Sequence, residues 1–366
     1  MTSGIKEQVR FQYLDALRGI AAISVCFHHL CNYIYSQKMM NPTANEFIKT
    51  SLLESFDFGR FGVVLFFLIS GFIIPNSLNP TSTLKKFTIT RIFRLYPAFW
   101  VTCFLIFLAT PYISDQKFSL SQLFANLTML PKLFHSPEMS GVFWTLFVEI
   151  LFYFLCAALF QVRVLEKPLF IGAIALTLHA VTPMTVLLNN WLHATNAVRF
   201  LPYHLSFLFI GSVFRLAMTT KNRQAQIIAP ILILCTLLSV PITTGLLLDS
   251  PQALESDFVM HNPAATTYSY FLAIATFLLV TIKKFSFSKL MIDMGKVSYS
   301  LYLLHMLCFI VIAKIINPTT LAGAVLYIFV SAVVSFIVAK ASFKFIEEPA
   351  IQLGRNPIWS RRTGNA

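Results

Sequence analysis

The chain has 366 residues, 57% hydrophobic and only 12% charged, with a mean hydropathy of +0.72 and a formal net charge of +13. Soluble domains carry about 25% charged residues, so the composition excludes a soluble globular protein and indicates a polytopic membrane protein. The basic excess would suit nucleic acid, but its distribution along the chain argues against that partner.

The apolar runs predict an all-α membrane protein of about ten transmembrane helices. They lie at roughly 14–35, 61–79, 95–113, 144–162, 168–188, 200–217, 226–248, 265–282, 297–316 and 321–345, several near the ~20 residues a bilayer requires. With the N-terminus taken as cytoplasmic, the inner segments hold 21 of the 28 Lys and Arg residues and the outer segments 7. The positive-inside rule then places both termini in the cytoplasm, and the net charge is mainly a topology signal. One membrane domain is expected over 11–350, with short cytoplasmic tails at 1–10 and 351–366. No cleavable signal peptide, internal repeat or low-complexity linker is apparent. The longest outer segments, about 36–60 and 114–143, read as short polar loops. The six cysteines fall mostly in apolar runs without CxxC or zinc spacing. They read as small buried hydrophobes, and no metal site is expected.

Ionisable groups inside a bilayer are expensive, so each one raises a functional question. The first span, LDALRGIAAISVCFHHL, carries Arg18 about one turn in and His28–His29 near its far end. Eleven residues separate Arg18 from His29, about three helical turns or roughly 16 Å, so both share one face while His28 points about 100° away. Asp15 precedes Arg18 by three residues and can pair with it. The bland alternatives are a snorkelling anchor for Arg18 and an interhelical hydrogen bond for His29. In the second span Ser70–Gly71 reads as a close helix contact.

Next comes KKFTITRIFRLYPAFW. Arg91 and Arg94 lie at i and i+3 at the cytoplasmic end of the third span. Two such guanidiniums can clamp phosphate bidentately or hold anionic lipid headgroups. Pro97 is expected early in the span, where a missing N–H is tolerated. The fourth span opens FWTLFVEILFYF, with Trp144 as an interfacial anchor and Glu149 roughly 7 Å below it. A carboxylate at that depth needs a partner, and His29 is the best match by depth. In the ninth span Ser298, Tyr299, Tyr302 and His305 recur at helical spacing as one polar stripe, which faces a cavity or another helix rather than lipid.

Taken in order, these elements resemble the acyltransferase-3 family of integral-membrane O-acyltransferases that modify bacterial polysaccharides. LDALRGIAAISVCFHH matches its arginine, ten residues, histidine motif and selects Arg18 and His29. LFFLISGF, RIFRLYP and SYSLYLLH match its FFxxSG, RxxRxxP and SYxxYLxH elements. FWTLFVEILFY and FIEEPA resemble its W-[ST]-L-x-x-E-x-x-FY and E-x-P elements. The resemblance covers roughly 11–350. Val64, and Ile150–Leu151 after Glu149, depart from residues common in many members, and an appended extracellular esterase-like domain is not expected.

The resemblance implies transfer of an acyl group, commonly acetyl, from cytoplasmic acyl-CoA to a hydroxyl of a cell-surface or lipid-linked polysaccharide. Acyl-CoA is then a donor substrate, with no permanently bound cofactor, and the protein sits in a bacterial inner membrane. Arg18, Arg91 and Arg94 would meet CoA phosphates. His29 would be the general base and Glu149 its partner. Apart from the resemblance, which assigns no such role, Ser298, Tyr299 and Tyr302 are candidate oxyanion donors, with His305 and Trp144 as further substrate candidates. Direct transfer and a covalent relay both stay open. Two other functions compete: an acyltransferase acting on a lipid or small molecule, and a multi-span transporter. The transporter would show paired halves with broken helices, which the sequence lacks.

Overall fold

In the computed structural model the described residues are 12–78, 82–114, 116–187, 196–248, 262–316 and 318–356. The expected tail 1–10, most of 351–366 and the outer segment around 249–261 lie outside them. Among the described residues nine helices are long and apolar enough to cross a membrane, and Pro168–Met184 is a shorter apolar helix. With that shorter helix the described residues hold ten apolar helices, close to the expected number of about ten spans.

The helices fall into two units. The first takes the described residues of Met1–Asn76 and Val148–Lys296, and the second those of Ser77–Phe147 and Val297–Ala366. The first contains α1 (Gln12–Ser36), α2 (Pro42–Ile48) and α3 (Phe58–Ile73). It also holds α7 (Pro168–Leu187), α8 (Asn196–Met218), α9 (Arg223–Leu248), α10 (Pro263–Lys283) and α11 (Lys289–Lys296). The second contains α4 (Leu84–Ile113), α5 (Leu120–Leu127), α12 (Ser298–Ile315), α13 (Leu321–Ser342) and α14 (Glu348–Gly354). One helix, α6 (Trp144–Gln161), begins in the second unit and ends in the first.

In the first unit the stretch Pro42–Ser77, which holds α3, and the stretch Leu201–Met218 of α8 are the most enclosed spans. They meet through reciprocal glycines. A Cβ on Gly71 would collide with the Leu208 carbonyl, and one on Gly211 with the Leu68 carbonyl. The Ser212 hydroxyl also donates to the Gly71 carbonyl at 3.0 Å. The Ser70–Gly71 element is therefore a close helix contact, as read from sequence. In the second unit the stretch Leu321–Gly354, which holds α13, is the least buried of the spans. Its exposed Leu321, Val325, Leu326 and Phe329 suit lipid.

Two local expectations are corrected in the second unit. Pro97 is not near a helix start: α4 begins at Leu84, and Pro97 stands in its interior. The cause is Thr83, whose hydroxyl caps the helix by accepting from Lys86 N–H at 3.2 Å, so the basic flank is helical from the outset. The segment 114–143 is not merely a surface loop. The Trp100 indole donates to the Leu127 carbonyl at 2.9 Å, and the Tyr96 hydroxyl to the Thr128 carbonyl at 3.1 Å. Trp100 precedes the end of α4 by 13 residues, about 20 Å of helix. After Ile113 the chain therefore folds back alongside α4. Asn126 fastens the return: its amide donates to the Pro137 carbonyl at 3.0 Å and its oxygen accepts from Met139 N–H at 3.0 Å.

Candidate active site

Within the first unit, α1 is unbroken from Gln12 to Ser36. It therefore carries Arg18 and His29 on one face with the expected separation of about 16 Å. Arg18 Nη1 lies 3.6 Å from Asp15 Oδ1, one turn earlier. This is the pairing anticipated from the i, i+3 spacing. His29 stands edge-on to His28, with ring centroids 5.7 Å apart and planes at 78°. Glu149 Oε1 accepts a hydrogen bond from Tyr153 Oη at 2.7 Å. Tyr153 is the i+4 neighbour, so the spacing within FVEILFY could have revealed it.

A group of buried charge lies around His28, which the sequence reading sets aside in favour of His29. Asp57 caps α3 by accepting from Arg60 N–H at 2.7 Å. Its Oδ2 lies 3.8 Å from Arg60 Nε, and its Oδ1 lies 3.7 Å from His28 Nδ1. The Asp57 N–H donates to the Ser269 hydroxyl at 3.0 Å, and the Thr266 hydroxyl approaches Oδ2 at 3.5 Å. Arg60 Nη1 is 3.3 Å from His204 Nε2. A guanidinium only donates, so His204 accepts at Nε2 and carries its proton on Nδ1. His204 is fully buried, and Asp57 and Arg60 are each only 8% exposed.

Glycine is required beside this cluster. A Cβ on Gly59 would lie 2.8 Å from His28 Cδ2 and 3.2 Å from its Nε2. The imidazole therefore rests on the bare backbone that opens α3. Chemically, a carboxylate facing Nδ1 favours the tautomer with a proton on Nδ1 and a lone pair on Nε2, the form in which an imidazole accepts a proton from a substrate. None of Asp57, Arg60 and His204 was singled out from sequence. Arg60 and His204 are separated by 144 residues. The available signal was an ionisable residue inside each of two apolar helices, Arg60 in α3 and His204 in α8, with Asp57 just before the first.

Within the second unit, Arg91 and Arg94 lie one turn apart on α4. Arg91 Nη2 is hydrogen-bonded to the Ser77 hydroxyl, and its guanidinium lies 5.3 Å from the Phe87 ring centroid. The polar stripe of α12 faces protein, as expected, and its two tyrosine hydroxyls serve backbone carbonyls. Tyr299 Oη donates to the Leu95 carbonyl of α4 at 2.8 Å, one residue beyond Arg94. Tyr302 Oη donates to the Val142 carbonyl at 3.0 Å and lies 2.8 Å from Thr145 Oγ1, next to Trp144. His305 is fully buried, with Nδ1 donating to the Leu301 carbonyl at 3.2 Å. Ser298 is buried at the start of α12. The closing FIEEPA element also acquires a role. Glu347, 1% exposed, accepts from the Ser300 hydroxyl at 2.9 Å and so ties the segment after α13 to α12.

All six cysteines are free thiols. Among the described residues no three His, Cys, Asp or Glu side chains gather into a metal-binding set.

A family model described as an acyltransferase domain matches residues 11–340. The chain is 24% identical over 297 residues to ORF330 of Acidianus two-tailed virus, provisionally named an acetyltransferase. That match covers 80% of this chain and 81% of the viral protein. It is 29% identical over 171 residues to nodulation protein 10 of Rhizobium leguminosarum bv. viciae, covering 40% of this chain and 44% of that protein. No solved structure matches. The family model covers nearly all of the described membrane helices, and the chain belongs to the acyltransferase-3 family of membrane acyltransferases.

Proposed function

We propose that this protein is an O-acetyltransferase of a bacterial inner membrane. It takes acetyl from cytoplasmic acetyl-CoA and delivers it to a hydroxyl of a cell-surface or lipid-linked polysaccharide. The observation that carries the reading is α1, a single helix that presents Arg18 toward one end and His29 toward the other on one face. The distribution of Lys and Arg over the whole chain supports cytoplasmic termini, which puts Arg18 on the donor side and His29 toward the acceptor. Arg18 in the first unit, and Arg91 with Arg94 in the second, are proposed as ligands of CoA phosphates, each to be tested separately. His29 removes the acceptor hydroxyl's proton as the oxygen attacks the acyl carbonyl, and the proton goes to the leaving group. Glu149 orients His29 and stabilises the transient imidazolium. Ser298, Tyr299 and Tyr302 remain proposed donors to the oxyanion; the two phenols would first release the carbonyls they hold.

A second reading has one specific observation in its favour. Asp57 faces Nδ1 of His28, so His28 rather than His29 would serve as the base. The overall function is tested by deleting the gene and comparing purified surface glycan by NMR. Loss of O-acyl signals supports the proposal, and an unchanged glycan with altered lipid or secreted small molecules moves the acceptor to those classes.

A further inference from the structure

At mid-length of three helices in the first unit, a histidine and two serines form a set that the function above does not use. His179 of α7 is 4% exposed. Its Nδ1 lies 2.9 Å from the hydroxyl of Ser206 on α8, and its Nε2 is hydrogen-bonded to the hydroxyl of Ser239 on α9. Tyr203 stacks on the imidazole, with centroids 4.6 Å apart and planes at 26°. The partners determine where the protons lie. The Ser206 hydroxyl donates to the Tyr203 carbonyl at 2.6 Å, so its oxygen accepts from Nδ1–H of His179. A neutral imidazole with that proton has a lone pair on Nε2, and the Ser239 hydroxyl donates into it. The competing acceptor, the Thr236 carbonyl, is farther from Ser239 Oγ at 3.3 Å.

This is the order of parts in an activated serine: a hydroxyl, a base that accepts its proton, and a third group that fixes the base. Serine and histidine also join membrane helices as plain hydrogen-bonding pairs. Two features point beyond that use. The hydrogen bond runs from Ser239 toward the imidazole. Ser239 is also partly exposed, whereas Ser206 is sealed. Its position matters as well. Ser239 lies 16 residues from the start of α9 and 9 from its end, about 24 Å and 14 Å of helix. A donor on one side of the membrane and an acceptor on the other leave the acyl group a distance to cross, and Ser239 stands part-way.

We propose that Ser239, activated by His179, carries the acyl group as a covalent ester between donor and acceptor. The inference rests on the acyl-thioester donor proposed above. In the first step Ser239 Oγ bonds to the acyl carbon and the carbon–sulfur bond breaks. The serine proton passes to His179 Nε2 and then to the departing CoA sulfur. In the second step the acceptor oxygen bonds to the same carbon and the ester bond to Ser239 breaks. The acceptor's proton passes to His29 and, relayed through His179, ends on Ser239 Oγ.

The test uses the full chain in membranes, given radiolabelled acetyl-CoA and acid-quenched before steady state, with the labelled peptide mapped by mass spectrometry. The expected label is an ester on Ser239 that is lost on chasing with acceptor. Ser239→Ala should remove it and slow transfer by at least about a hundredfold. Ser239→Cys should replace it with a thioester cleaved by neutral hydroxylamine. Turnover in the wild type without label on Ser239 overturns the relay alone. No turnover with acetyl-CoA overturns the donor reading and the relay together. Ser239→Ala protein that melts earlier but transfers at the wild-type rate per folded molecule shows a packing role and also overturns the proposal.

Discussion

Replacing Asp57 is the most informative perturbation of the first unit, because one carboxylate serves several partners there. Asp57→Ala removes the cap of α3, whose bond from Arg60 N–H is 2.7 Å, at a cost of about 1 kcal/mol. It also removes the carboxylate beside the buried Arg60 guanidinium. Breaking a buried ion pair from one side costs about 3–5 kcal/mol. Together these predict a loss of about 4–6 kcal/mol, a large fraction of a typical folding free energy. Asp57→Asn keeps a capping oxygen and so should lose only the ion-pair part. Removing the guanidinium as well should recover stability. Asp57→Asn combined with Arg60→Met should therefore be more stable than Asp57→Asn alone, a non-additive pair. The assay is thermal unfolding of detergent-solubilised protein followed by fluorescence-detected gel filtration, with each variant's expression matched. A midpoint for Asp57→Ala within a degree of the wild type would refute the reasoning. So would strictly additive losses in the double variant.

Glu149→Gln should slow transfer strongly, and adding it to His29→Ala should cost little further, since groups that act as a unit lose function non-additively; fully additive losses in a double-mutant cycle would place Glu149 elsewhere. Arg91→Ala and Arg94→Ala should each weaken acyl-CoA binding by about 1.5–3 kcal/mol, with only partial rescue by Lys because it lacks the planar fork. Unchanged CoA affinity would assign the pair to lipid headgroups instead. A cysteine placed at Lys283, the last residue of α10, should be labelled only from the cytoplasmic side, and one at Pro251, outside the described residues, only from the opposite side. Reversed labelling would overturn the topology.

Much of the helical plan is legible in the sequence because lipid permits little besides long apolar helices. The run from Leu14 to Leu30 announces α1, and the small pair Ser70–Gly71 announces the close approach to α8. The start of α4 is concealed because Lys85, Lys86 and Arg91 read as a basic flank, while a single Thr83 hydroxyl begins the helix. The fold-back of 114–143 is hidden for a different reason. It depends on Tyr96 and Trp100 donating to carbonyls some 30 residues later, and no local periodicity encodes such contacts. The same holds for the cluster around His28. Helical spacing compares residues on one helix, so it selects His29 through Arg18. The carboxylate that faces His28 comes from the cap of α3, and Arg60 reaches a histidine on α8. Ser300 and Glu347 illustrate the point again: both lie in quoted motifs, yet only the fold pairs them.

The central claim is that a histidine of α1 accepts the acceptor hydroxyl's proton and that this histidine is His29. The direct measurement is acyl transfer by His29→Ala and His28→Ala protein in membranes, normalised to the amount of folded enzyme. A general base contributes about 10²–10⁴-fold to rate. The expected result is a loss of that size in His29→Ala and substantial activity in His28→Ala. Loss of transfer in His28→Ala with activity preserved in His29→Ala would contradict the assignment and move the base to the Asp57–His28 pair.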